Sequence, residues 1–194
     1  MRIIGGNLKG KSINPPAGYK ARPTTDFAKE GLFNVLSNVT DFEEISVLDL
    51  FGGTGSISYE FASRGCTDIV TVEMAKPNAA FISRTAKSLG ITAMKVVHQN
   101  VFDFLDICSR KFDIVFADPP YALDGLDGIP SKVMEKGILN PGGLLILEHP
   151  GDYSFAGTPF FVKEKRYGNV HFSMFRNQME SPAPSEEDAE CLSR

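Results

Sequence analysis

From about residue 44 to residue 149, short apolar runs typical of buried strands alternate with longer amphipathic runs typical of helices. The apolar runs are ISVLDLF, DIVTVE, MKVVHQ, FDIVFA and GLLILEH. Helices are predicted for SISYEFASRG and PNAAFISRTAKSLG, each ending at a glycine, for VFDFLDICS, and for residues 130–136. This alternation predicts right-handed βαβ units and a parallel sheet covered by helices on both faces.

The two ends of the chain follow different patterns. The β-rich runs FFVKEKRY and NVHFSMFR meet at Gly168 and Asn169, which favours an antiparallel hairpin. Near the start, RIIGG and KSINPP predict a small hairpin, and TDFAKEGLFNVLSNV predicts an amphipathic helix after the loop ARPTT. We therefore expect an α/β fold: a Rossmann-like, doubly wound, mostly parallel seven-stranded sheet with an antiparallel C-terminal hairpin and a small N-terminal hairpin and helix extension.

These patterns divide the chain into three parts. Residues 1–43 are too few for an independent core, so we expect a substrate-side extension packed on one domain over residues 44–180. Residues 181–194 combine proline, serine and acidic side chains with almost nothing to bury, so we expect a disordered acidic tail.

Composition limits the classes of function. No apolar run approaches the length that spans a bilayer, and the start lacks a signal-peptide core, so we expect a cytoplasmic protein with no membrane partner. The three cysteines are widely spaced and fit no metal-ligand pattern, so no metal site is expected. The net charge is -4, yet the first thirty residues carry +4. That segment is compatible with RNA or DNA and equally with an ordinary solvated surface.

A glycine-rich turn follows the first predicted strand, in DLFGGTG over residues 49–55. Such a turn lets the backbone approach a ligand, although small residues also make tight turns for purely structural reasons. Glu73 ends the second strand, eighteen residues after Gly55, where an acid is placed to accept hydrogen bonds from ribose hydroxyls. Together the two features favour a cofactor that contains a nucleoside.

The dinucleotide fingerprint is incomplete in this turn. Counting from Gly53, the sequence gives Gly53, Thr54, Gly55, Ser56, Ile57 and Ser58, so serine stands where G-x-G-x-x-G has its third glycine. This weakens the hypothesis of a nicotinamide-dependent oxidoreductase.

The stretch ADPPY, residues 117–121, follows the apolar run FDIVF. Asp and Pro are common in turns, so a plain turn is one interpretation. In a doubly wound sheet, however, the strand order reverses between the first and fourth strands, and ligands bind at the carboxyl ends there. If FDIVFA is the fourth strand, Asp118 and Tyr121 lie beside the glycine turn.

DLFGGTG followed by DPPY resembles class I S-adenosylmethionine-dependent methyltransferases that methylate an exocyclic amine of a base. The series MRIIGGNLKGKSI, RPTTDFAKEGLFNVL, DLFGGTG, VEMA, NVFDFL, FADPPY and YGNVHF is similar to the RsmD family, bacterial methyltransferases of guanine N2 in small-subunit ribosomal RNA. The similarity covers residues 1–176.

The resemblance implies a role for each matching residue. Asp118 and the Pro119 carbonyl would accept the N–H groups of the amine, Pro120 would help hold the turn rigid, and Tyr121 would stack on the base. The residues implied to bind the cofactor are Asp49, Gly53 and Gly55 at its methionine end, Glu73 at the ribose, Met74, Asn100 and Val101 at the adenine, and, without a more definite place, Phe51. Those implied to close over the substrate are Arg22, Pro23 and Thr24.

Plainer roles remain open for some of these residues. Met74 could fill the core, Asn100 could cap a helix, and Arg22 could be a surface charge. Ala75 departs from the family pattern, in which an acid often follows the Glu-Met pair.

The resemblance implies transfer of a methyl group from S-adenosylmethionine to guanine N2 of 16S ribosomal RNA by a monomer. The partner would be ribosomal RNA or the small ribosomal subunit, with the target guanine flipped out of any helix. Three alternatives are a DNA adenine or cytosine amino-methyltransferase, a nicotinamide-dependent oxidoreductase, and a non-catalytic RNA-binding module.

Overall fold

A computed structural model of the chain describes residues 1–15 and 24–178. The residues predicted to form the acidic tail, and Arg22 and Pro23 of the N-terminal loop, lie outside the described residues. Within the described ranges no helix combines the length and apolar character needed to cross a membrane.

A seven-stranded sheet with the order β3-β2-β1-β4-β5-β7-β6 forms the centre of the molecule. Its strands are β1 (Ser46–Asp49), β2 (Asp68–Glu73), β3 (Met94–His98), β4 (Phe112–Ala117), β5 (Leu139–His149), β6 (Phe161–Tyr167) and β7 (Val170–Arg176). The pairs among β1 to β5 are parallel, and β7 is antiparallel to both β5 and β6. The predicted parallel sheet and its antiparallel C-terminal hairpin are therefore confirmed.

Five α-helices accompany the strands in the described part of the chain: α1 (Asp26–Ser37), α2 (Ser56–Ser63), α3 (Lys76–Ser88), α4 (Val101–Ile107) and α5 (Ile129–Glu135). Local chemistry sets several of their ends. Thr25 Oγ1 accepts the Ala28 N–H at 3.2 Å and so caps α1. Gly65 and Gly90, which follow α2 and α3, have φ of 106° and 72°, a region that favours glycine.

Both faces of the sheet are covered by apolar side chains. Along β4, Ile114 and Phe116 point into one buried cluster and Val115 and Ala117 into the other, as the two-residue period of a strand requires. Helices α4 and α5 cover the second face, while α1 and α2 cover the first. This arrangement is the doubly wound fold predicted from the alternation.

The N-terminal segment packs on helix α2. An isolated antiparallel bridge joins Arg2 and Ser12, and the side chains of Ile3 and Ile13 are buried in a cluster with Tyr59. Ser63 Oγ donates to the Gly5 carbonyl at 2.6 Å. The predicted small hairpin is thus present, reduced to a single bridge pair.

Candidate functional site

A cavity of about 880 Å³ opens where the parallel strands end, and we call it the sheet-edge cavity. Its walls come from the ends of β1, β2, β4 and β5, the start of α1, and the turn between β6 and β7. Strand β1 lies between β2 and β4, and the Leu50 N–H donates to the Phe116 carbonyl at 2.9 Å. The turns after β1 and β4 are therefore neighbours, as the position of the switch point predicted.

The glycine turn bends sharply at the cavity wall. The Gly55 N–H donates to the Gly52 carbonyl at 2.6 Å, and Gly53 and Gly55 have φ of 56° and 81°. A Cβ on Gly55 would lie 2.6 Å from the ring of Tyr59. Both backbone conformation and space thus require glycine at position 55.

Asp49 ends β1 and is buried beneath this turn. Its Oδ2 accepts the hydroxyl of Ser58 at 2.6 Å, and Ser58 Oγ lies 2.7 Å from Thr71 Oγ1. Burial raises the pKa of Asp49 to about 6. Ser58 stands where the dinucleotide fingerprint has glycine, and here it orients this carboxylate, a role that the sequence did not suggest.

Two buried polar atoms at the glycine turn lack a hydrogen-bond partner among the described residues, Asp49 Oδ1 and Ser56 Oγ. Both residues line the sheet-edge cavity. Because an unpaired buried carboxylate oxygen is costly, it marks a place where a ligand with N–H groups fits. The ammonium group of an amino-acid moiety has that chemistry.

Glu73 ends β2 at the opposite side of the glycine turn. Its Oε2 accepts the Gly53 N–H and its Oε1 accepts the Ala75 N–H, both at 2.7 Å. Each carboxylate oxygen has two lone pairs, so each Glu73 oxygen can still accept a hydrogen bond from one hydroxyl group. The two amides fix the Glu73 carboxylate at the wall of the cavity.

The side chains of Met74 and Asn100 lie next to each other at the cavity wall, near Glu73. Met74 is 63% exposed, so the interpretation of a core methionine is wrong. Asn100 does cap α4, because its Oδ1 accepts the Phe102 N–H at 2.8 Å, and its Nδ2 lies 3.5 Å from Met74 Sδ. Both side chains line the cavity together with Phe51 and Val101. The predicted adenine-binding residues are thus brought together by the fold.

The DPPY turn forms the wall that faces the glycine turn. Burial, and then the negative charges of Glu148 and Asp49, raise the pKa of Asp118 well above its usual range. The Leu123 N–H donates to the Pro120 carbonyl at 2.8 Å, which closes the turn. Tyr121 is 46% exposed at the cavity wall.

Glu148 is a site residue that sequence analysis missed. Residues Ala117 and Leu147 are paired in the parallel register of β4 and β5, so Asp118 and Glu148 follow at matching positions. Glu148 is only 3% exposed, and burial raises its pKa to about 7. The sequence did contain a signal for Glu148, which is an acid directly after the apolar run LLIL of a predicted strand. An acid at the end of an apolar run is also what identified Glu73.

The start of α1 closes the substrate side of the cavity. Thr24 is buried, and its Oγ1 donates to Glu148 Oε2 at 2.9 Å, so this one of the three residues predicted at the substrate side lines the cavity. Phe27 is 67% exposed and meets Tyr167 edge-on, with ring centroids 5.6 Å apart. Neither aromatic residue was predicted, because the sequence places them 140 positions apart.

No group of three or more His, Cys, Asp or Glu side chains over residues 1–15 and 24–178 has an arrangement that could hold a metal ion.

Comparison with known proteins adds to this geometry. The family model described as Conserved hypothetical protein 95 matches residues 1–176. Ribosomal RNA small subunit methyltransferase D of Haemophilus influenzae is 30% identical over 184 residues, which is 91% of this chain and 94% of that protein. The Escherichia coli protein of the same name is 28% identical over 193 residues, or 98% of this chain and 94% of its own length.

Among solved structures, the putative methyltransferase yhhF from Escherichia coli superposes with a TM-score of 0.80 at 27% identity. The match covers 93% of this chain and 99% of that one. That structure therefore shares the fold described above over nearly the whole length of both chains.

Proposed function

The chain belongs to the Conserved hypothetical protein 95 family, which is the RsmD family of methyltransferases, and we propose that it methylates N2 of a guanine in small-subunit ribosomal RNA. The methyl donor of this family is S-adenosylmethionine. Ribosomal RNA as the class of substrate follows from the relatives named for that activity. The choice of guanine as the base, and of N2 as the methylated atom, is what we propose beyond this class of substrate.

One observation carries the proposal: a single cavity joins a cradle for a nucleoside cofactor to a turn that can receive an amine. Asp49 Oδ1 and Ser56 Oγ have no hydrogen-bond partner among the described residues and could form hydrogen bonds with the amino-acid end of the cofactor. Glu73, which two backbone amides hold in place, would accept the ribose hydroxyls, and Met74 and Asn100 would contact the adenine. Asp118 lines the same cavity, so donor and acceptor can meet there.

The exocyclic amine of a base is a poor nucleophile because its lone pair is delocalised into the ring. A carboxylate and a carbonyl that accept its two N–H bonds favour a pyramidal nitrogen and stabilise the positive charge that develops on attack. Asp118 and the Pro119 carbonyl are the acceptors that we assign. When bound, S-adenosylmethionine supplies a methyl carbon attached to a positively charged sulfur, which leaves with the electron pair of the broken bond.

Asp118 would also accept the proton that the amine loses. Since its pKa is raised well above the usual range of an aspartate, its carboxylate is a better base than one in water. Tyr121, whose ring is partly exposed at the same wall, would stack on the base while the amine is held. The stacked base has to leave its helix to reach this depth.

The test is nucleoside mass spectrometry on unmethylated small ribosomal subunits incubated with the protein and S-adenosylmethionine. We expect N2-methylguanosine with the native protein and a loss of at least 100-fold in rate with Asp118→Asn, because the amide is not a base. Cofactor binding by calorimetry should be preserved in this variant. If the native protein binds cofactor and forms another methylated nucleoside, guanine N2 is the wrong target.

A further inference from the structure

Glu148 carries a carboxylate into the sheet-edge cavity that the mechanism above does not use. It is buried at the end of β5, next to the end of β4 from which the DPPY turn starts. Its Oε2 accepts the Thr24 hydroxyl at 2.9 Å, and its Oε1 lies 3.4 Å from the Tyr121 hydroxyl. Glu148 therefore reaches the part of the cavity in which we place the target base.

The position of Glu148 is electrostatically costly. Asp118 and Asp49 also line this cavity, and the negative charges of Glu148 and Asp49 both raise the pKa of Asp118. The contacts assigned to Glu148 are hydroxyl groups, which use one lone pair on each of its oxygens. A costly group of this kind is commonly retained where it contacts a ligand, and here the ligand would be a hydrogen-bond donor.

The arrangement of donors next to the target amine distinguishes the bases. In guanine, the N2 amine is flanked by the N1–H donor. In adenine and cytosine, the exocyclic amine is flanked by a ring nitrogen with a lone pair, which an ionised carboxylate repels. A second carboxylate that is ionised and lies on the N1 side of the amine therefore favours guanine over adenine and cytosine.

From this geometry we propose that Glu148 selects guanine by accepting its N1–H while Asp118 and the Pro119 carbonyl accept the N2 amine. The inference rests on the proposed function, since it assumes that an N2 amine is the methylated group. Thr24 and Tyr121 would then orient the Glu148 carboxylate, which gives the buried Thr24 hydroxyl a role in base selection. Glu148 is a specificity residue in this scheme, while Asp118 receives the proton.

The test uses 2-aminopurine, which keeps the 2-amino group of guanine but has a lone pair in place of N1–H and a hydrogen in place of O6, so the change of preference in Glu148→Gln isolates the contact at N1. The target position is first mapped by mass spectrometry, and small subunits are then reconstituted with guanine or 2-aminopurine at that position. We expect the native protein to methylate guanine at least about 100-fold faster, since a site built for a donor rejects a base that lacks it. In Glu148→Gln this preference should fall at least tenfold, because the amide can donate to the lone pair.

A matched control is Asp113→Asn, the same acid-to-amide change at the other end of β4, where Asp113 binds Ser46 and Asn140. It should leave the preference unchanged. The proposal is overturned if the native protein methylates both bases equally, or if Glu148→Gln slows both by the same factor. Should Glu148→Gln not fold, Thr24→Val takes its place, because it removes the hydroxyl that orients the Glu148 carboxylate and should likewise lower the preference. If the native protein binds cofactor but methylates neither base, the proposed function has failed as well.

Discussion

At the residue scale, the cavity is defined by three carboxylates that the fold desolvates. Asp49, Asp118 and Glu148 each lie at or next to the carboxyl end of a strand, and desolvation is the largest cause of the raised pKa of each. A carboxyl group whose pKa is raised by folding is more easily ionised in the unfolded chain. Its charge therefore destabilises the folded protein at neutral pH. Such a cost is expected where cofactor and substrate supply the missing partners.

The first prediction concerns the pH dependence of stability. The pKa of Glu148 rises from 4.5 to about 7, so the folded form binds the extra proton between these values and loses stability as pH increases through them. We expect Glu148→Gln to gain stability relative to the native protein as pH rises from 5 to 8, by about 3 kcal/mol at most. The measurement is urea denaturation of both proteins, without cofactor, at several pH values.

Comparing the two proteins removes the contribution of groups that do not interact with Glu148, whereas Asp118, whose pKa the charge of Glu148 raises, contributes to the difference. Asp49 titrates in the same range with the same sign, and burial lowers the pKa of His149, which acts in the opposite direction. Both are present in native protein and variant. Parallel stability curves for the two proteins across this pH range would show that Glu148 is not desolvated as described.

At the scale of elements, an ionic network attaches helix α1 to helix α2. The Lys29 ammonium lies 3.2 Å from Glu60 Oε1 and donates to the Arg2 carbonyl at 2.6 Å. Glu60 also accepts the Ile4 N–H at 2.7 Å and pairs with Arg64. Lys29 and Glu60 are both buried, so the attachment of the N-terminal segment depends on charges that water does not solvate.

We predict that Lys29→Met destabilises the protein by about 3 kcal/mol, because Glu60 then loses one of its two cationic partners while staying buried. Urea denaturation measures the loss. Hydrogen exchange should show that α1 and residues 1–15 lose protection first. The matched control is Lys132→Met, which breaks a partly exposed pair with Asp106 and should cost less than about 1 kcal/mol. Equal losses in the two variants would contradict the assigned role of the network.

At the scale of the whole molecule, the N-terminal extension contributes to the main core. Leu32, Phe33 and Leu36 of α1 are buried in one cluster with Phe116 of β4 and Phe172 of β7. This cluster forms one complete face of the sheet. We therefore expect residues 1–43 to be part of the folding unit, although their contribution to the site is at the substrate side.

Removal of residues 1–43 should accordingly leave a chain that does not fold cooperatively, because the apolar face beneath α1 would meet water. Removal of residues 181–194 should change the free energy of unfolding by less than about 0.5 kcal/mol, since that segment has little to bury. Size-exclusion chromatography and thermal unfolding compare the two truncations. A monomeric shortened chain over 44–194 with a sharp unfolding transition would contradict this prediction.

Much of the architecture was determined by the sequence alone. The two-residue and 3.6-residue apolar periods specify strand and helix locally, and the sterics of right-handed βαβ connections restrict their order. The glycine turn, Glu73 and the DPPY turn were found the same way, because each combines a strand end with residue types that have distinctive backbone or hydrogen-bonding chemistry. Their proximity followed from the predicted strand order.

What only the tertiary structure decided are contacts between segments far apart in the chain. Thr24 meets Glu148 across 124 positions, and Lys29 meets Glu60 without any local pattern that pairs them. In the sequence, Ser58 is only a departure from the dinucleotide fingerprint, which has glycine there. In the structure, its hydroxyl donates to Asp49 and orients that carboxylate. Hydrophobic periodicity records which face of an element is buried, but not which polar group it meets there. That pairing depends on the packing of the whole chain, which is why Glu148 emerged from the structure.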